Sequence, residues 1–163
     1  MTDMRQELAH LGNGAHALAI QILGNREDAA DAVHDAFATA LARPSAYDSG
    51  RGELKPWFLR VVRNRCIDLI RKRRPSGTAV DELPDPGAAP DSALESRQAG
   101  EQLQAALAMI KPEQRQIVVL RDYLDLSYAE IAAVLDVAPG TVMSRLHRAR
   151  LALRERLEQE NGE

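Results

Sequence analysis

The chain has 163 residues, of which 45% are hydrophobic, 28% charged and 4% aromatic, and its formal net charge is −3. That length bounds one or two small domains, and the scarcity of aromatics leaves Leu, Ile, Val and Ala to build the core, which favours helices and argues against a β-sandwich. No apolar run approaches bilayer length, no signal-peptide apolar region follows Met1-Thr2-Asp3-Met4-Arg5, and the single Cys66 cannot close an internal disulfide, so a reducing cytoplasm is the expected compartment.

A first helix is expected over residues 14–23, with Ala15, Leu18, Ala19 and Ile22 apolar and Gly24-Asn25 as the following turn. Residues 26–42 predict a second, with Ala30, Val33, Phe37, Ala40 and Leu41 on one face and Glu27, Asp28, Asp31 and Asp35 on the other. Pro44 ends it. Residues 44–52, with Ser45, Asp48, Ser49, Gly50 and Gly52, read as a loop. A third helix is expected from about residue 54 to 73, with Trp57, Phe58, Val61, Val62, Ile67 and Ile70 apolar. The next twenty or so residues hold four of the eight prolines and few apolar side chains, the composition of a flexible linker. Beyond it, helices are expected over residues 94–109 and from Pro112 to about residue 124, Pro being well placed in a first turn. Ser127-Tyr128-Ala129-Glu130 is a capping-box pattern that opens a short helix to Leu135. Asp136-Val137-Ala138 is the turn into a long helix over residues 140–158.

The net charge alone speaks against nucleic acid, but its distribution does not. Residues 51–74 carry nine Lys/Arg against two acids, and residues 141–156 carry five Arg against one Glu. Residues 75–101, between them, carry six acids against one Arg. Clustered positive charge is the footprint of phosphate binding.

A short capped helix, a three-residue turn and a longer Arg-rich helix describe a helix-turn-helix. Ala132 is small where the two helices must approach, and Ile131, Leu135, Val137, Val142 and Leu146 can form the shared core. The second helix then offers Thr141, Met143, Ser144, Arg145, His147 and Arg148 to a major groove, and its N-terminus offers free N–H groups to a phosphate. The plainer alternative is a helical hairpin with a solvated Arg face. In the first half, Arg60, Arg63, Asn64, Arg65 and Arg71 to Arg74 share a helix with Trp57. Asn64 has base-edge donor and acceptor capacity among phosphate-seeking arginines. The preceding loop, with Tyr47, Asp48, Ser49 and Arg51, suits an extruded base. The plainer alternative is that the basic run complements a helix dipole and that Trp57 and Phe58 are core.

Together these pieces resemble the extracytoplasmic-function (group 4, sigma-70) sigma factors. Two stretches carry the resemblance. LGNREDAADAVHDAF at residues 23–37 with GELKPWFLRVVRN at residues 52–64 looks like regions 2.1 to 2.4 of that family. IKPEQR at residues 110–115, LSYAEIA at residues 126–132 and GTVMSRLHRAR at residues 140–150 look like region 4.2. The resemblance spans residues 14–157 apart from the linker.

The resemblance implies an all-α chain of two small helical domains, a region 2 bundle over residues 1–74 and a region 4 helix-turn-helix over residues 93–163, joined by a flexible acidic linker over residues 75–92. Asp28, Asp31, Asp35 and Phe37 would dock on the β′ clamp helices of core RNA polymerase, and the second domain on the β flap. Tyr47, Ser49, Arg51, Trp57, Arg60, Arg63, Asn64 and Arg71 would melt and hold the −10 element. Thr141, Met143, Ser144, Arg145, His147 and Arg148 would read the −35 element. An anti-sigma factor is the expected further partner, and no cofactor, metal or membrane insertion is expected. The sequence departs from the family at Gly12-Asn13-Gly14, which interrupts the first helix, and at Met143, where a basic residue is common. It also shows no appended C-terminal domain, which leads one to expect regulation by a separate protein. A linker of about 20 residues could reach roughly 65 Å at about 3.3 Å per residue, so two modules on it would gain from effective concentration at a bipartite site.

Three rivals have weaker support. A sigma mimic that only sequesters an anti-sigma factor should lose the basic helix or the recognition arginines, and both are present. A repressor using the helix-turn-helix alone leaves the acidic second helix and the Trp57 helix unexplained. An enzyme finds no phosphate loop or metal-ligand spacing: His10, His16, His34 and His147 are scattered and Cys66 has no evident partner. Cys66 is expected as a small buried hydrophobe.

Overall fold

The structure, a computed structural model, describes residues 3–73 and 94–161. The expected linker, residues 75–92, lies outside the described residues. Every regular element among the described residues is helical: α1 (Met4–His10), α2 (Gly12–Leu23), α3 (Arg26–Ala42), α4 (Leu54–Arg73), α5 (Leu94–Met109), α6 (Pro112–Val118), α7 (Tyr128–Leu135) and α8 (Pro139–Asn161). Short 3-10 turns occupy Pro44–Ala46 and Ser49–Arg51, and a π-helical turn occupies Val119–Tyr123.

Local chemistry sets the helix ends. Asp3 caps α1 by accepting from the Arg5 N–H at 3.2 Å. Gly24 ends α2 in the left-handed region, φ 72°, where a residue without Cβ sits at least cost. Asn25 at once caps α3, its side chain accepting from the Asp28 N–H at 3.1 Å. The expected capping box of α7 is complete: Ser127 Oγ accepts from the Glu130 N–H at 3.1 Å, and Glu130 Oε1 accepts from the Ser127 N–H at 2.8 Å. Asp136 follows in the left-handed region, φ 57°, and turns the chain into α8.

In the first half α2, α3 and α4 pack around Leu18, Ile22, Val33, Phe58, Leu59, Val62 and Cys66, with the Phe37 and Phe58 rings 4.8 Å apart. Two elements differ from expectation. Met4–His10 forms a helix that the sequence reading did not anticipate, anchored by the buried Leu8, and α2 starts at Gly12 instead of residue 14. The buried face of α3 is also rotated: Ala29, Ala32, Val33, Ala36 and Ala40 face the core, whereas Ala30 and Leu41 are exposed. Ala29, Ala32, Ala36 and Ala40 flank Val33 on that face, and Phe37 packs partly buried beside Phe58. Ile70 of α4 is likewise exposed.

In the second half α6, the π turn, α7 and α8 enclose Ile117, Leu120, Leu126, Ile131, Val134, Val142, Leu146 and Ala149. Ala132 is buried at the approach of α7 and α8, as its size required. Leu135 and Val137 are partly buried against this core. The two halves are packed together, α4 against α7 and α2 against α6, and their buried residues form one continuous cluster.

Candidate nucleic-acid interface

On α4, Trp57, Arg60, Asn64 and Arg71 follow one another at spacings of three, four and seven, which places them on one stripe of the helix. The other side is anchored by Leu54, Phe58, Leu59, Val62 and Cys66. The loop before α4 is wound against this stripe. Its Tyr47 ring lies 5.3 Å from that of Trp57, tilted by 48°, and its hydroxyl donates to the Gly52 carbonyl at 2.9 Å. Gly52 has φ 152°, a backbone that favours glycine. Asp48 accepts from the Gly50 N–H at 2.9 Å and lies 3.7 Å from the Arg51 guanidinium. Ser49 and Arg51 are exposed on this turn. Tyr47 and Trp57 thus pack together, Ser49 and Arg51 are exposed on the adjoining turn, and Asn64 is exposed about two turns along α4 from Trp57.

Arg60, on this stripe, and Arg63, beside it, meet residues of the second half. Arg60 lies 4.0 Å from Asp136, and Arg63 Nε donates to Gln116 Oε1 at 3.1 Å. Burial pushes the Arg63 guanidinium below its ordinary basicity, Asp136 opposes that shift and Arg60 adds to it.

On α8, Val142, Leu146 and Ala149 are buried against the core, which turns Met143, Ser144, Arg145, His147 and Arg148 outward. Met143 keeps 63% of its surface exposed, high for a thioether side chain. The two hydroxyls are turned back on their own helix: Thr141 Oγ1 donates to the Ala138 carbonyl at 2.7 Å and Ser144 Oγ to the Thr141 carbonyl at 3.1 Å. Arg150 is held by Asp122 through both carboxylate oxygens, one contact at 3.0 Å, which braces α8 against the π turn.

The acidic set on α3 is tied to α4. Asp35 Oδ2 accepts from Arg65 at 3.2 and 2.9 Å. Asp28 pairs with Arg73, with one contact at 3.0 Å, and that hydrogen-bonded guanidinium holds its carboxyl below the ordinary 3.8. Asp31 is exposed, and Phe37 is half-buried on Phe58. Cys66 is fully buried and its thiol is pushed up to about 12 by desolvation. Among the described residues no group of three His, Cys, Asp or Glu could hold a metal ion, and no helix is long and apolar enough to cross a membrane.

Sequence reasoning missed Gln116, Asp136, Leu124 and Gln21, which join the halves. Their partners lie 53 to 94 residues away in the hydrogen-bonded cases, and no local pattern marks such pairs.

Residues 8–76 match the family described as Sigma-70 region 2, and residues 100–153 match Sigma-70, region 4. The chain is 36% identical over 153 residues to the ECF RNA polymerase sigma factor SigE of Mycolicibacterium smegmatis, covering 91% of this chain and 59% of that protein, so it spans less than two thirds of that relative. It is 29% identical over 154 residues to SigW of Bacillus subtilis, covering 87% and 82%. To SigM of Mycobacterium tuberculosis it is 37% identical over 140 residues, covering 85% and 68%. Among solved structures, the sigma factor RpoE in complex with the anti-sigma factor NepR from Bartonella quintana superposes with a TM-score of 0.83 at 28% identity, covering 97% of this chain and 98% of that one. CnrH, in complex with the cytosolic domain of CnrY, gives 0.68 at 25% identity, covering 94% and 86%. With both sigma regions present in order and relatives of this likeness, the chain belongs to the extracytoplasmic-function family of RNA polymerase sigma factors.

Proposed function

We propose that the chain binds core RNA polymerase in the cytoplasm and directs it to promoters, reading the −35 element with α8 and melting the −10 element with α4 and the loop before it. One observation carries this reading: a helix-turn-helix with an outward Arg-rich face and a basic helix backed by an aromatic loop stand on one chain of the sigma family. The division of labour follows residue 74, with residues 1–74 for the polymerase clamp and −10 element and residues 93–163 for the −35 element. On α8, Arg145 and Arg148 supply phosphate or guanine contacts, and Met143 offers an apolar surface to a thymine methyl. On α4, Asn64 supplies base-edge hydrogen bonds, Trp57 and Tyr47 supply a stacking surface, and Arg60, Arg63, Arg71 and Arg51 attract the strand backbone. Holding a base out of the stack costs a few kcal/mol, which these contacts must offset. Asp28, Asp31, Asp35 and Phe37 form the polymerase-facing edge, with the acids already aligned on α3.

The polymerase supplies the catalysis, and no step in this scheme needs a cofactor or metal on this chain. One solved relative above, RpoE of Bartonella quintana, is a sigma factor in complex with the anti-sigma factor NepR, which supports an anti-sigma partner for this chain as well. The residue-level test is Asn64→Ala. It should lower promoter opening, read by permanganate reactivity of unpaired thymines, while leaving affinity for core polymerase unchanged. Equal losses in both would remove Asn64 from the melting step.

A further inference from the structure

We infer that the −35 readout of this chain depends on a methyl group in the major groove: Met143 packs on the 5-methyl group of one thymine, so the recognition helix tells thymine from uracil and 5-methylcytosine from cytosine. The inference rests on the promoter reading above and deepens it. Three observations carry it.

The first is where Met143 stands on α8. Val142, Leu146 and Ala149, at 0, 1 and 0% exposure, seat the helix on the core. Met143, among them in sequence, keeps 63% of its surface exposed. Its thioether side chain is unbranched and adaptable, and on a face that meets DNA it is open surface for an apolar partner. Among the four bases, thymine shows such a group in the major groove, its 5-methyl. The acceptors that guanine shows there gain nothing from a thioether, which has no proton to donate. 5-Methylcytosine carries the same methyl at the same ring position, so the contact follows the methyl and not the rest of the base.

The second is how charge is divided on α8. At 3.6 residues per turn, Met143 lies about 140–160° around the helix from Arg145 and Arg148. Those two arginines share the other flank with Thr141. The next cation along Met143's own flank is Arg150, two turns on, and Asp122 holds it through both carboxylate oxygens. One flank thus presents cations to phosphate, and the Met143 flank presents an apolar group.

The third is what surrounds Met143. Thr141 Oγ1 donates to the Ala138 carbonyl at 2.7 Å, and Ser144 Oγ donates to the Thr141 carbonyl at 3.1 Å. Their hydrogens are committed to the helix's own backbone, which leaves the exposed Ser144 oxygen as an acceptor. An acceptor suits the exocyclic amino group of the adenine that pairs with thymine. Gly140 lies one turn before Met143, and a Cβ added there would meet nothing within 4 Å. The approach to this flank is therefore open.

The test uses the holoenzyme, the full chain on core polymerase, and a promoter fragment that it transcribes in run-off assays. Each thymine of the −35 element, on either strand, is replaced in turn by deoxyuridine, which removes the methyl and keeps the base pair. Wild type and Met143→Ala are compared by competition binding. Met143 lies outside the core, so alanine leaves the packing intact. One deoxyuridine should weaken wild-type binding about fourfold, the scale of one buried methyl, and leave binding by Met143→Ala unchanged. At that position a 5-methylcytosine·guanine pair should bind the wild type about fourfold tighter than an unmethylated cytosine·guanine pair. Both pairs should bind Met143→Ala alike. Wild-type indifference to every methyl, or equal sensitivity in the two proteins, overturns the methyl readout and leaves the promoter reading intact. Absence of run-off transcripts from every fragment overturns the promoter reading, and this inference with it.

Discussion

Replacing Arg145 and Arg148 together by alanine tests the electrostatic part of −35 binding and has a magnitude that follows from which cations α8 leaves outward. Both are exposed on the face opposite Val142, Leu146 and Ala149. Arg150, two residues on, is already held by Asp122. Each phosphate neutralised contributes about 0.9 to the slope of log affinity against log salt. Losing two such contacts should lower that slope by about 1.8. Between about 50 and about 200 mM salt the ratio of wild-type to variant affinity should therefore shrink about tenfold. The assay is anisotropy of a labelled −35 duplex titrated at several salt concentrations. Arg150→Ala, run alongside, should leave the slope unchanged and cost under about 1 kcal/mol of stability, as for exposed pairs. An unchanged slope in the double variant, or an Arg150→Ala slope as large as its own, would refute the assignment of α8's outward face.

Other predictions concern what holds these faces in place. Leu146→Ala removes a side chain that is 1% exposed beneath the recognition helix, and should cost about 2–5 kcal/mol in urea unfolding; a loss below about 1 kcal/mol would mean that α8 is not seated as described. Asp28 has its folded pKa lowered by Arg73, so its stabilisation is present above the ordinary 3.8 and fades as pH falls through the lower folded value. The stability gap between wild type and Asp28→Asn should therefore be flat from neutral pH to about 5 and close below about 4, by no more than about 1 kcal/mol for so exposed a pair; a gap that widened on acidification would reverse the sign. The Cys66 thiol, buried and raised to about 12, should resist iodoacetamide at pH 8 in the folded chain and react once urea unfolds it. Rapid alkylation of the folded chain would contradict its burial.

Much of this architecture is legible in the residues. The caps at Asn25, Ser127 and Glu130 and the left-handed Gly24 act within four residues, so local pattern locates them. The helix-turn-helix follows from them, because Ala132 and the spacing of Val142 and Leu146 leave one face for the core. Longer-range choices are not legible. Periodicity placed Val33, Phe37 and Ala40 of α3 against the core, but it missed Ala29, Ala32 and Ala36 and wrongly included Ala30 and Leu41, the latter 38% exposed. Met4–His10 is too short to announce itself by propensity and depends on burying Leu8. The pairing of Arg63 with Gln116 arises only when the halves meet, and no local pattern in the residues marks the π turn at Val119–Tyr123. The candidate DNA faces could thus be named residue by residue, whereas the covering of Arg60 and Arg63 could not.

Run-off transcription on genomic fragments with purified core polymerase decides whether this chain confers promoter selectivity on a polymerase. Discrete transcripts should arise from a small set of fragments only when the chain is added, each preceded by two sequence elements about two helical turns apart. Transcripts that are absent, or the same with and without the chain, would contradict it.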